Sequence, residues 1–129
     1  MISIDAIAAD IVDSALKIHR QLGPGLLESA YEACLEHELT KRGYSVERQK
    51  PQPVHYDGIV IDTGYRIDLL VNDLIIIELK AVAELAPIHN AQLMTYLKLS
   101  AKSLGFLINF NVPLIKNGIR RIANQFQES

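Results

Sequence analysis

Three charged residues at fixed spacing carry the strongest chemical signal in this chain. Arg66-Ile67-Asp68 is followed, after nine intervening residues, by Glu78-Leu79-Lys80. An acid on one strand, with an acid and a lysine two apart on the next, can assemble a two-carboxylate metal site with an ammonium beside it. Divalent-metal cleavage of a phosphodiester needs hard oxygen ligands and open positions for water and phosphate. Asp68 and Glu78 offer the carboxylates. Lys80 shares a strand face with Glu78, because side chains repeat every two residues. Its ammonium can orient an attacking water or offset charge on the pentavalent transition state. Leu79 points to the other face, as a core residue would, and its backbone carbonyl stays available to a metal.

Register decides whether the two acids can meet. If Asn72-Asp73 formed a strict two-residue hairpin loop, Asp68 would pair with Ile77 and Glu78 would project from the opposite face. A joint site requires a loop of odd length, such as Asn72-Asp73-Leu74, or a bulge. The competing account is a charged strand whose Asp, Glu and Lys pair on a solvated surface. Against it stands Leu74-Ile75-Ile76-Ile77, an apolar run without polar alternation that reads as a central strand. Carboxylates on a central strand cost free energy unless paired or metal-bound.

The elements that must position these residues follow from periodicity. Ser3 caps a first helix over about 4–22, in which Ile4, Ile7, Ile11, Ala15 and Ile18 make one face apolar. Gly23-Pro24-Gly25 stops it. A second helix is expected over about 26–42, with Leu27, Ala30, Tyr31, Cys34 and Leu35 on or near one face and Gly43 as its C′ residue. An exposed strand around Tyr44–Gln49 is broken or held at an edge by Pro51 and Pro53. Short extended pieces, 54–56 and 59–61, flank Asp57-Gly58. Strands are expected at 65–71 and 74–81. Pro87 opens a third helix reaching about Ser100. A buried strand follows at 105–110, then an extended piece at 112–115 and a basic ending around Arg120 and Arg121. The order of helix, helix, strands, helix, strand predicts an α/β fold, a mixed sheet flanked by helices, two of them N-terminal to the sheet.

Composition narrows the class. The 129 residues suit one domain, and 49% hydrophobic content suits a packed core. The net charge of −2, with no basic tract, predicts no strong sequence-independent attraction to nucleic acid. A metal-dependent nuclease need not be basic, because bound cations offset its carboxylates. Cys34 is the one cysteine, which excludes a disulfide within the chain and a cysteine-rich zinc site. No apolar run reaches membrane-span length, and the N-terminus lacks a basic segment followed by an apolar one, so the expectation is a cytoplasmic protein without a membrane partner. Self-association is left open.

Gly25-Leu26-Leu27-Glu28-Ser29-Ala30-Tyr31 matches the pattern that names the GxxExxY proteins. The match continues, in order, through Tyr65–Asp68, Ile77–Ala81, Gln92–Leu97 and Leu107–Phe110. The chain thus resembles a compact branch of the PD-(D/E)xK nuclease superfamily over nearly its whole length. Ile67 stands where the superfamily's name has proline, a residue without a metal-binding group. The resemblance implies a restriction-endonuclease-like fold with a four-stranded mixed core sheet, residues 1–129 forming one such domain. It implies a Mg²⁺- or Mn²⁺-dependent nuclease acting on DNA or RNA. Asp68 and Glu78 fall on the metal-binding acids, Lys80 on the lysine, Glu28 on the helical acid, and Gln92 and Tyr96 on the Gln-xxx-Tyr element. A nuclease-fold module that binds nucleic acid or a protein without cleaving is the alternative, because fold does not dictate activity.

Glu28 also suits a helix N-terminus for purely electrostatic reasons. Gln92 and Tyr96 share a helix face, with His89 one turn earlier. His19, His37, His55 and His89 lack metal-ligand spacing. Lys41, Arg42, Arg48 and Lys50, and likewise Lys116, Arg120 and Arg121, read as surface charge first and phosphate contacts second.

Overall fold

A computed structural model describes residues 2–125. Its elements are α1 (Ile4–Leu22), α2 (Glu28–Lys41), β1 (Val46–Pro51), β2 (Val54–Tyr56), β3 (Ile59–Ile61), β4 (Arg66–Val71), β5 (Ile75–Lys80), α3 (Pro87–Ser100), β6 (Leu104–Asn109) and β7 (Ile119–Ala123). The main sheet has the order β1-β4-β5-β6-β7. Only the β5–β6 pair is parallel, and α3 makes that crossover; the other neighbours are antiparallel. This is a mixed α/β architecture with two helices N-terminal to the sheet, as in the restriction-endonuclease-like fold.

Alternation along β5 and β6 divides the core into two layers, and β4 contributes to both. Ile7, Ile11, Leu35 and Leu39 of α1 and α2 pack with Leu69, Ile77, Phe106 and Ile108 on one side. Leu93 and Leu97 of α3 pack with Ile67, Leu70, Ile76 and Leu107 on the other. Gly105 permits that second approach, since a Cβ there would stand 2.9 Å from a Leu93 methyl. The run Ile75–Leu79 is buried throughout, as a strand covered on both faces should be.

Four local expectations change. The second helix begins at Glu28 rather than near Leu26, leaving Leu27 as a 78% exposed N-cap. The buried Tyr31 hydroxyl is the reason: it accepts from Leu26 N–H (3.1 Å) and donates to the Gly23 carbonyl (2.6 Å), which fixes the chain ahead of the helix. Cys34, expected on or near the apolar face of this helix, is only half-buried and packs at the margin of the larger cluster. The extended piece expected at 112–115 is irregular and leads into a short 3₁₀ turn, Ile115–Gly118. The basic ending belongs to β7, so the sheet has five strands rather than the four implied by resemblance. As an edge strand it has one half-buried residue at each of Ile119 and Ile122, with Arg120 and Arg121 exposed, which left little periodic signal.

Candidate active site

The β4–β5 hairpin settles the register. Asn72 and Asp73 both have positive φ, and Leu74 N–H closes the turn onto the Val71 carbonyl (3.0 Å). The strands nevertheless pair Val71 with Ile75, not with Leu74. Leu74 is therefore the additional residue that an odd-length connection requires. Pairing proceeds through Leu70↔Ile76 and Leu69↔Ile77 and then stops. The next opposed residues are Asp68 and Glu78.

There the carboxylates replace the backbone ladder. Glu78 Oε2 accepts from the Asp68 N–H at 3.0 Å, and Asp68 Oδ2 accepts from the Leu79 N–H at 2.8 Å. Each acid thus caps the opposite strand, and the two carboxylates face each other where β4 and β5 part. Glu78 is 8% exposed. Burial, reinforced by the Asp68 charge and by the hydrogen bond its own carboxyl can donate to Asp68, pushes the Glu78 carboxyl up to about 9. A raised carboxyl within the acid pair is what like charges crowded in a desolvated gap should produce. The donor set is hard oxygen with little cationic compensation, which is the chemistry that a divalent cation balances.

β1 contributes a residue that periodicity did not reveal. Gln49 stands opposite Asp68 but leaves the β1–β4 ladder, which resumes at Lys50↔Ile67. It has a φ of 55°, an unusual conformation for a side chain other than glycine or asparagine. Its amide donates to Asp68 Oδ1 (3.2 Å) and to Glu32 Oε1 of α2 (2.7 Å). Gln49 sits in an alternating polar stretch, and nothing in residue type distinguishes it from its neighbours.

Glu28, the first residue of α2, is exposed and approaches the end of β5. Partial burial raises its carboxyl; Lys80 opposes this, Asp68 and Glu32 add to it, and the Ala81 N–H opposes it again. Among the described residues, no three His, Cys, Asp or Glu side chains converge closely enough to hold an ion. Glu28 is thus near the acid pair electrostatically but is not a third ligand beside Asp68 and Glu78. Lys80, half-buried, ends β5 two residues from Glu78. Tyr96 of α3 is half-buried beside the pair: desolvation and then the charges of Glu78, Tyr65 and Asp68 push its phenol up. Gln92, one turn earlier, is exposed and lines a cleft next to Tyr96. His89 turns back to the helix start, where its Nδ1 accepts from the Ala86 N–H (3.0 Å).

The termini of β5 and β6 are locked together. Lys80 pairs in register with Asn109, and the Phe110 N–H bonds the Lys80 carbonyl (3.0 Å). The Asn109 side chain is 1% exposed; its Oδ1 accepts from the Val82 and Asn111 N–H groups (3.1 and 3.2 Å) and its Nδ2 donates to the Val82 carbonyl (2.9 Å). Phe110 stacks on Tyr31, centroids 4.4 Å apart and planes 11° apart. The glycine-led segment Gly25–Tyr31 and the segment Leu107–Phe110 therefore meet around the residues that follow Lys80. By contrast, the suggested basic neighbourhood on α2 and β1 is spent internally. Arg42 pairs with Asp10, Asp13 and Glu38, Arg48 with Glu32 and Glu36, and Lys50 with Glu47.

Comparison with curated proteins and with solved structures finds no match. The family model described as PD-(D/E)XK nuclease superfamily matches residues 5–122. That span runs from the start of α1 into β7 and includes all six candidate residues, and nucleases of this superfamily generally use divalent metals. With an acid pair between β4 and β5 and a lysine two residues on, the chain belongs to the PD-(D/E)XK nuclease superfamily.

Proposed function

We propose that this protein, residues 1–129 acting as one nuclease-like domain, is a Mg²⁺- or Mn²⁺-dependent nuclease that hydrolyses phosphodiester bonds of DNA or RNA in the cytoplasm. The observation that carries the reading is the mutual capping of Asp68 and Glu78, which leaves two carboxylates facing each other in a desolvated gap. A purely structural role would favour a cation or an apolar pair there, since an uncompensated buried charge is costly. Asp68 and Glu78 would hold the metal ion. When bound, such an ion polarises a phosphoryl oxygen and lowers the pKa of a water. Lys80, carried on the same strand as Glu78, would orient an attacking water or offset negative charge developing on the phosphoryl group. Glu28 would add negative charge near Lys80 at the end of β5. Gln49 holds the outer oxygen of Asp68. Tyr96 and Gln92 line the approach from α3, where they can contact the scissile strand.

Purified protein incubated with labelled single- and double-stranded DNA and RNA, with Mg²⁺ or Mn²⁺, tests the proposal. Cleavage that disappears in EDTA and in Asp68→Ala is the expected result. Equal products from wild type and Asp68→Ala would assign the cleavage to a contaminant. Binding of nucleic acid without cleavage, at any metal concentration, would establish the binding-module alternative instead.

A further inference from the structure

α3 presents more to the solvent than its core contacts require. It is anchored by the buried Leu93 and Leu97. On another face, Ile88, Ala91, Gln92, Thr95 and Tyr96 join Tyr65 around a cleft of about 310 Å³. These helix positions recur three or four apart, so they form one surface. Ile88 is 59% and Tyr65 51% exposed. The Tyr65 and Tyr96 rings lie 6.2 Å apart, inclined at 58°, so they are not stacked on one another, and Tyr65 stays half open to solvent. Tyr96 feels the charges of both Glu78 and Asp68. Tyr96 thus belongs both to the lining of the cleft and to the electrostatic surroundings of the acid pair.

We propose that this cleft is a nucleobase subsite, in which one unpaired base flanking the scissile phosphodiester stacks on Tyr65 and contacts Ile88. The proposal rests on the nuclease reading and deepens it by naming the substrate class as single-stranded, frayed or flapped nucleic acid. The size of the cleft suits one base, whereas a stacked base pair within a duplex could not enter. An aromatic face beside a scissile phosphate binds bases of any sequence, because every base has a π-face. Gln92 offers an amide donor and acceptor, and Thr95 a hydroxyl, for the edge of the base. The modest net charge of −2 fits the same picture. A protein that cannot rely on phosphate attraction alone gains affinity by stacking.

Binding is measured by fluorescence anisotropy in EDTA, so that metal-dependent cleavage is suppressed, with the full chain and labelled single-stranded DNA, the same RNA sequence and the DNA duplex. Wild type should bind both single strands in preference to the duplex; a clear preference for one single strand would identify DNA or RNA as the source of the base. Tyr65→Ala should weaken single-strand binding roughly tenfold, with the slope against salt unchanged, and Tyr65→Phe should restore it. Ala91→Trp, which fills the cleft from an exposed position, should act like Tyr65→Ala. A 2-aminopurine placed in the strand should change its emission on binding wild type and not on binding Tyr65→Ala. Unchanged affinity in both Tyr65→Ala and Ala91→Trp would overturn the subsite, as would tighter binding to duplex than to single strands. Loss of self-association in Tyr65→Ala, with nucleic-acid binding intact, would overturn it in favour of a second copy on this face. Failure of the nuclease reading looks different: base-dependent binding would persist while no cleavage appeared with Mg²⁺ or Mn²⁺.

Discussion

The chemistry of the site turns on what holds Asp68. Its partners are the Leu79 N–H and the Gln49 amide, neither of them a charged group. Asn at position 68 keeps an oxygen for the Leu79 N–H and removes the charge that opposes ionisation of Glu78. Asp68→Asn should therefore abolish any cleavage while leaving metal-free thermal stability unchanged or raised, a common exchange of function for stability. It should also erase the stabilisation that Mg²⁺ or Mn²⁺ gives wild type, since a ligand bound only by the folded state stabilises with its occupancy. If the acids served as ion-pair partners, the same change would strand a partly buried cation and cost roughly 3–5 kcal/mol. Melting curves of wild type and variant, each with and without metal, separate the two outcomes. A large loss in the variant, together with no metal effect on wild type, would remove the chemical basis of the nuclease reading.

At the scale of elements, the site depends on how strand ends are fixed. Asn109 satisfies both backbone groups of Val82, and Gly118 lets the chain pass over it: a Cβ at Gly118 would lie 2.2 Å from the Asn109 carbonyl oxygen. Gly118→Ala must displace backbone, and about 1–3 kcal/mol of destabilisation is expected in urea unfolding. An unchanged midpoint would show that the clamp yields freely. Ser14 makes the opposite case. Its hydroxyl is buried in α1 and has no hydrogen-bond partner among the described residues, so Ser14→Ala should stabilise the protein by up to about 1 kcal/mol in the same measurement, and a loss would mean that the hydroxyl is satisfied after all. These elements show how far the sequence could be read. The first two helices and the apolar central strand followed from periodicity, because each buries a regular face; Pro87 marked the third helix, and the odd-length β4–β5 connection followed from the pleat on the condition that the two acids share a site. The Asp68–Glu78 meeting was conditional on register, and Leu74 decided it. Gln49 was illegible, because its role comes from leaving the ladder at a positive φ rather than from its residue type. β7 was missed because an edge strand with exposed arginines carries half the apolar signal of a central one.

For the whole molecule, two buried acids of opposite character should shape stability against pH. Glu38 joins α1 to α2: hydrogen bonds from Arg42 and then from Lys17 hold its carboxyl below the usual range. Its contribution is present above the unfolded value near 4.5 and is lost as pH falls through the lower folded value. Glu78 has the reverse sign. Its carboxyl, raised by burial and by Asp68 to about 9, favours the protonated form in the folded state, whereas the unfolded chain releases that proton near 4.5. The folded protein then binds more protons across this interval, so metal-free stability should fall as pH rises from 4.5 to about 9. The raised carboxyl of Glu28 acts in the same direction. Melting temperature in EDTA should accordingly pass through a maximum in the mildly acidic range, declining on the acid side through Glu38 and on the alkaline side through Glu78. Glu78→Gln mimics the neutral acid and should flatten the alkaline limb alone, leaving the acid limb in place. Added Mg²⁺ should flatten the same limb in wild type, since a bound cation favours the ionised carboxylates, and should have no such effect in Glu78→Gln. A wild-type melting temperature that is level from mildly acidic to alkaline pH in EDTA, or an alkaline limb that persists unchanged in Glu78→Gln, would show that the acid pair is not under the electrostatic load that a divalent cation would relieve.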